Sequence, residues 1–224
     1  MIQISQNGVS ISDDEKIKDL RESFARNHCV VLPQLFEPSL LQRIIKQIDS
    51  AKFYPNKHLD YKQQEFATDL SIGQSELALH QINLLLNNRK LFHAIEAITG
   101  CGEIGSFGGR IYRNQPNTDN QLEWHDDMES KERLIGISIN LSEKCYEGGA
   151  FQLREKQSKN ILCEVGCRGM GDAHLFRIST ELEHRVIKVS GDNPRTAAAG
   201  WFVSYPDIAT TIKSLFALQN SNLK

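Results

Sequence analysis

The sequence is short of the features that announce a partner. Lysine and arginine number 26 against 28 aspartates and glutamates, a formal net charge of −2. Nucleic-acid binders rely on a basic excess to neutralise phosphates, so no nucleic-acid partner is expected. No apolar run approaches the roughly 20 residues of a membrane helix, and no membrane partner is expected either. The opening stretch Met1–Gly8 has neither the charged n-region nor the apolar core of a secretory signal. Cysteine occurs five times, as Cys29, Cys101, Cys145, Cys163 and Cys167. An odd number in a chain long enough to bury its own core reads as free thiols in a reducing compartment, hence a cytoplasmic location. Cys163 and Cys167 have zinc-like spacing but no second pair to complete four ligands, so they read as two small structural residues.

What is present is ordinary for a globular protein: 40% hydrophobic and 24% charged residues in 224. No repeats, low-complexity tracts or long linkers divide the chain, and residues 1–224 are expected to form one domain. Its character changes near residue 100. The first hundred residues read mainly as helix. Ser12-Asp13 is an N-cap signal for a helix whose Ile17, Leu20 and Phe24 share a face. Pro38 opens a second, with Leu40, Leu41, Ile44, Ile45 and Ile48 at 3/4 spacing. Two more are expected over about 75–87 and 88–100, with Leu77, Leu79, Ile82, Leu84, Leu85, Leu86, Leu91, Phe92, Ile95 and Ile98 as apolar faces and Gly100 as C-cap. Cys29–Pro33 is a short strand-like run between helices.

Residues 101–205 read as strands: 104–113, 133–141, 149–154, 160–165, 173–178, 184–189 and 195–204, separated by Gly, Asn, Asp and Pro clusters. Short, evenly spaced strands with such turns predict a sandwich, jelly roll or barrel. A closing helix is expected over about 207–218. The fold class is therefore mainly β, a jelly-roll core buttressed by N-terminal α-helices.

One constellation carries chemistry. His125-Asp126-Asp127 lies between predicted strands. Side chains two apart in extended chain share a side, so His125 and Asp127 can bind one metal while Asp126 faces away. A third ligand would complete a 2-His-1-carboxylate triad of the kind that leaves open positions on Fe(II). His184, opening a strand-like run several strands later, is the candidate. Arg195 follows across the turn Gly191-Asp192-Asn193-Pro194. A hairpin there would put it on the strand next to His184, where its guanidinium could grip the far carboxylate of a 2-oxo dicarboxylic acid with two parallel hydrogen bonds.

The ordered set H-x-D at 125–127, Gly148-Gly149, Gly171 to Phe176, His184-Arg185-Val186 with Val189, Arg195, and Gly200-Trp201-Phe202 resembles the 2-oxoglutarate/Fe(II) oxygenases, nearest the prolyl-4-hydroxylase-like branch. The resemblance spans about Phe107 to Val203. It implies a double-stranded β-helix, a jelly-roll variant, with iron at its mouth. It also implies His125, Asp127 and His184 as metal ligands and catalytic residues. Arg195 would hold the distal carboxylate of 2-oxoglutarate, with Tyr112 and then Asn140 as further co-substrate contacts. Fe(II), 2-oxoglutarate and O2 are the implied cofactor and co-substrates, with ascorbate an optional addition. The implied reaction couples decarboxylation of 2-oxoglutarate, to succinate and CO2, to hydroxylation of a substrate C–H bond.

Departures from the family pattern narrow this. The hydroxyl residue common two positions after the arginine is Ala197 here. Collagen-type prolyl hydroxylases have lysine where this chain has Arg195, so collagen-like substrates are not implied. The nucleic-acid demethylases carry a second arginine where this chain has Trp201. Trp124 and Trp201 read as packing residues, His174 as a core or rim residue beside Phe176, and Arg154, Arg177 and Arg185 as solvent-facing. Two alternatives stay open: a cupin-like metal protein of other chemistry, which would not need Arg195, and a silent ligand-binding jelly roll, which would not need the three ligands. The primary substrate is not legible, and either a monomer or a homodimer fits.

Overall fold

A computed structural model of the protein describes residues 1–11, 14–59, 65–128 and 130–205. The Ser12-Asp13 cap and the expected 207–218 helix lie outside them. A hairpin of β1 (Ile2–Ser5) and β2 (Gly8–Ile11) leads into helix α1 (Asp14–Asn27), strand β3 (Cys29–Leu32) and helix α2 (Pro38–Ser50). A second hairpin, β4 (Phe53–Leu59) and β5 (Glu65–Ile72), precedes helices α3 (Leu77–Leu86) and α4 (Arg89–Thr99). Then come strands β6 (Ser106–Asn114), β7 (Gln121–His125), β8 (Arg133–Asn140), β9 (Glu147–Gly148), β10 (Phe151–Glu155), β11 (Ile161–Val165), β12 (Ala173–Arg177), β13 (Leu182–Val186), β14 (Val189–Ser190) and β15 (Arg195–Val203).

The main sheet has 11 strands with the path β11-β10-β13-β7-β5-β6-β15-β8-β12-β3, and β4 added on β5. All its pairings are antiparallel. The sheet curls into a near-closed barrel of the jelly-roll, double-stranded β-helix type, and both arms line one cavity. Strand β5 is the joint: Ala67 and Thr68 pair with β7, while Leu70 and Ser71 pair with β6.

Strand alternation explains how one sheet face meets helices and the other a cavity. On β8, Ile135, Ile137 and Ile139 join the helical core; on β15, Ala198 and Phe202 do; on β6, Phe107 and Ile111 do. Against them pack Ile44 and Ile45 of α2, Leu79 and Ile82 of α3, and Phe92, Ile95 and Ile98 of α4. The intervening residues Arg110, Tyr112, Ser138, Arg195, Ala199 and Trp201 face the cavity. Both faces are thus covered, which is why β8 is buried almost throughout.

Helix α3 also finishes the sheet edge. The side chain of Asn87 accepts from the backbone N–H of Phe107 at 2.8 Å and donates to its carbonyl at 2.8 Å. Asn83 accepts from Gly109 N–H at 3.0 Å. These amides satisfy the part of β6 that β5 does not reach, where unpaired backbone groups would be costly. Asn88 caps α4 by accepting from the N–H groups of Lys90 and Leu91, and Gly100 ends it at φ 63°.

Four readings need correction. The β1–β2 and β4–β5 hairpins interrupt what read as a mainly helical leader with one short strand; β4 and β5 gain their stability from tertiary pairing, not local pattern. Leu77 and Leu84, assigned to helix faces in the core, are 64% and 76% exposed, because α3 buries only Ala78, Leu79, Ile82 and Leu86. Strands β13 and β15 do not pair: β14 pairs with β9, and the turn at 191–194 carries the chain to the opposite arm. Finally, not all thiols are free. Cys145 and Cys167 form a disulfide with Cα atoms 5.8 Å apart, because the loops after β8 and before β12 meet. Cys163 sits instead against Cys29. Cys29, Cys101 and Cys163 are free thiols.

Phe202 ties the helices to the sheet. It is fully buried, edge-on to Phe92 at 5.9 Å and 5.0 Å from Phe107. Phe202→Ala is expected to lower unfolding free energy by about 3–5 kcal/mol, as large-to-small changes in tight cores do. Urea titration followed by circular dichroism measures it, and a loss well under ~1 kcal/mol would place the core elsewhere.

Candidate active site

The β7–β13 register sets His125 directly opposite His184. Their ring centroids are 4.1 Å apart. Asp127 completes the group: its two carboxylate oxygens lie 3.4 Å from His125 Nε2 and 3.4 Å from His184 Nε2. One ligand atom from each residue falls within 4.8 Å of the others. The three sequence candidates therefore converge, but not by the route expected. Strand β7 ends at His125, and Asp127 is swung back by a left-handed backbone, φ 58°. Aspartate is among the few residues that tolerate this region. Asp126 faces away and pairs with Lys156.

The surroundings hold each ligand. Glu123 carbonyl oxygen sits 2.8 Å from His125 Nδ1, so that nitrogen carries the proton and Nε2 presents its lone pair. Trp201 Nε1 donates to Asp127 Oδ2 at 2.7 Å. Arg133 donates to the Asp127 carbonyl at 3.0 Å, lies 3.5 Å from Oδ1, and stacks on the Trp201 ring at 3.9 Å. Burial works to raise the Asp127 carboxyl pKa, but His125, His184 and Trp201 outweigh it and hold it well below the usual carboxylate range. Burial, with His125 beside it, pushes His184 down to about 3. One carboxylate and neutral imidazoles are the protonation states that bind a divalent metal.

Across the cavity, on the facing arm, Arg195 is 4% exposed. It donates to the Tyr112 hydroxyl at 2.6 Å and to Ser138 Oγ at 3.3 Å. Burial disfavours its charge, but Tyr112 and Tyr146 outweigh that and raise its pKa. Among the described residues no carboxylate meets it. A buried cation without a counter-charge is costly, so this end of the cavity fits a carboxylate ligand. Gly149, at φ 61°, makes the approach feasible: a Cβ there would lie 2.8 Å from the Tyr146 ring and 3.1 Å from Arg195 Cδ.

The cavity between these ends is about 350 Å³ and is walled further by Leu122, Phe151, Phe176 and Val186. Tyr112 lines it as expected. Asn140 does not; its amide donates to the Arg168 and Gly169 carbonyls at 2.7 and 3.3 Å, and its oxygen accepts from Ser142. Sequence reasoning missed Ser138 and Trp201. Alternation on β8 and β15 could have found both, since Ser138 shares the phase of Asn140 and Trp201 that of Arg195. His174 is buried beside Phe151, as a core residue. Trp124 lies between Arg154 and Arg185, whose guanidinium carbons are 3.6 and 4.6 Å from its ring centre. Arg185 also donates to Gln152, so these arginines brace the outer sheet face instead of simply facing solvent.

A facial triad in a jelly-roll cavity with a buried arginine opposite defines a non-haem iron enzyme site that takes a carboxylate co-substrate. Residues 110–203 match the family model described as 2OG-Fe(II) oxygenase superfamily. No curated protein matches the sequence. Similar solved structures include a 2OG-Fe(II) oxygenase family oxidoreductase from Burkholderia pseudomallei, at 15% identity and TM-score 0.62, covering 91% of this chain and 96% of that one. A Pseudomonas putida prolyl-4-hydroxylase follows at 15% and 0.60, covering 85% and 100%. A Trichoplax adhaerens prolyl hydroxylase in complex with a hypoxia inducible factor peptide matches at 13% and 0.60, covering 86% and 94%. At such identities the likeness is one of fold.

Two outcomes test this geometry. Trp201→Phe keeps the bulk but removes the N–H that aims Asp127. Fe(II) affinity is expected to fall roughly 10- to 100-fold with the fold retained; an unchanged dissociation constant in metal titration would remove Trp201 from this role. His174 supplies the second. Burial, then Arg195 and His184, push it down to about 3. The unfolded chain takes up that proton from about pH 6.5 downward, the folded one only near 3. Stability should therefore decline by about 1.4 kcal/mol per pH unit through that window from this group alone. His174→Phe should flatten the acid limb of the stability curve by that slope, and an identical slope in denaturation series would contradict it.

Proposed function

We propose that the protein is an Fe(II)- and 2-oxoglutarate-dependent oxygenase that hydroxylates a C–H bond of an amino-acid, peptide or protein, or small-molecule substrate. His125, Asp127 and His184 would hold the iron. Arg195, with Tyr112 and Ser138 on its flank, would bind the distal carboxylate of 2-oxoglutarate. The observation that carries this reading is Arg195, buried across one cavity from the triad with no anionic partner among the described residues. A cupin-like site of other chemistry gives no reason to bury an arginine there. Asn140 contributes indirectly in this scheme, by fixing the 168–169 loop.

When bound, the iron and its co-substrate supply the oxidising power for attack on the C–H bond, with O2 as oxidant, succinate and CO2 as co-products, and ascorbate as an optional reductant. The chain's own groups do the rest. His125, Asp127 and His184 would hold the metal. The Glu123 carbonyl fixes the His125 tautomer, while Trp201 and Arg133 fix the Asp127 carboxylate. Arg195 orients the co-substrate from its far end, so that its 2-oxo acid end is presented towards the triad. Phe151, Phe176 and Val186 exclude water from the space between.

Anaerobic mixing of the protein with Fe(II) and 2-oxoglutarate should give a visible charge-transfer band, and His184→Ala should abolish it. Folded protein that gives no band would sink the oxygenase reading. Arg195→Ala should weaken 2-oxoglutarate binding by about 30-fold or more while metal content stays near wild type, as expected from removing one member of a buried charged pair. Equal affinity in the variant would take Arg195 out of the co-substrate site.

A further inference from the structure

The cavity has a third polar wall, which neither the metal nor the co-substrate uses. Asp69 on β5 is 3% exposed. Its carboxylate accepts from the Ser71 hydroxyl at 2.8 Å, lies 3.0 Å from His58 Nε2 on β4, and pairs with Arg110 Nη1 on β6. Asn56 Nδ2 reaches His58 Nε2 at 3.2 Å. These contacts place Arg110 firmly. Its Nη1 also donates to Ser71 Oγ at 3.2 Å, and its guanidinium carbon stacks 4.6 Å from the Tyr112 ring centre. Only Nη1 is engaged: among the described residues no acceptor takes the Nε–H or the Nη2 hydrogens of Arg110, and the side chain lines the cavity.

Arg110 and Arg195 therefore flank one tyrosine. Arg195 bonds its hydroxyl and Arg110 covers its ring. Arg110 lies two positions before Tyr112 on β6, opposite Ala199, whereas Arg195 is opposite Asn114, two positions after Tyr112, so the two guanidiniums approach the tyrosine from opposite ends along the strands. The cavity lining holds four cationic side chains, Lys57, Arg110, Arg133 and Arg195, and among its described residues Asp127 is the one carboxylate. Arg133 is committed to Asp127, and Arg195 is assigned to the co-substrate. Of the other two, Arg110 is the one pre-set by a buried carboxylate, with an open fork of donors in the geometry that suits a second carboxylate.

We propose that Arg110, braced by Asp69, Ser71 and His58, binds a carboxylate of the primary substrate, so that the enzyme acts on a carboxylic acid or an acidic side chain. This rests on the oxygenase reading above. The bracing matters because arginine loses less freedom on binding when its plane is already fixed.

The test uses the protein loaded anaerobically with Fe(II) and 2-oxoglutarate, and the charge-transfer band first establishes that both are bound. Hexanoate and benzoate are then titrated by calorimetry beside hexanamide, benzamide and phenyl phosphate. The carboxylates should bind at least about tenfold tighter than their amides and than the phosphate. Arg110→Gln should reduce that preference to within about twofold while leaving 2-oxoglutarate affinity unchanged. Because Arg110→Gln leaves Asp69 buried beside fewer donors, the double variant Asp69→Asn/Arg110→Gln is measured in parallel; it removes both charges and should lose the preference equally. Three results overturn the proposal: no saturable carboxylate binding in the millimolar range, tighter binding of the phosphate or amides, or a preference that survives in both variants. A fall in 2-oxoglutarate affinity matching that of Arg195→Ala would also overturn it, by making Arg110 part of the co-substrate site. Absence of the band would instead indict the oxygenase reading itself.

Discussion

The carboxylate of Asp127 is the point on which the metal end of the cavity turns. Two imidazoles, an indole N–H and a guanidinium all converge on it, from β7, β13, β15 and the start of β8. Each of these groups is on a different element, so the carboxylate also registers the two arms of the barrel against each other. Burial alone would make such an anion costly. Its neighbours reverse that balance. The Trp201 N–H on Oδ2 fixes the orientation of the carboxylate that would hold the metal.

The far end of the cavity poses the complementary problem. Arg195 is a buried cation whose described hydrogen-bond partners are hydroxyl groups. Hydroxyls solvate a guanidinium but do not neutralise it. The cavity thus has a charge deficit at a fixed place, and the deficit defines the ligand more sharply than the cavity's volume does. Apolar walls between the two ends keep the electrostatic interactions strong by excluding water.

Much of this was legible in the order of residues. Seven β segments after residue 100 fall close to the expected ranges, because short strands there are bounded by glycine and proline turns. The ligand trio was legible because H-x-D and a later His-x-Val are local patterns. What failed was non-local. The β4–β5 hairpin has no clean alternation, and its place between β6 and β7 depends on pairing partners far along the chain. The hairpin linking His184 to Arg195 was a wrong picture for the same reason: a turn motif fixes a reversal of direction, not which sheet the next strand joins. The left-handed Asp127 was invisible too. An extended chain and a strand end with one positive φ both bring residues two apart together, and the sequence alone does not distinguish them.

Strand β15 has a further consequence. Arg195 and Trp201 lie six positions apart on it, in the same phase, and each serves one end of the cavity. Six positions span about 20 Å of strand. The strand is therefore a ruler between the buried arginine and the triad, with the small Ala197 and Ala199 as its inward marks. A ruler can change its material more safely than its length. Exchange of a methyl along it alters the fit locally, whereas one inserted residue between 195 and 201 would turn either the arginine or the tryptophan to the helix side of the sheet. Lineages that diversify this cavity should therefore vary the side chains on β15 and place their insertions and deletions in the loops.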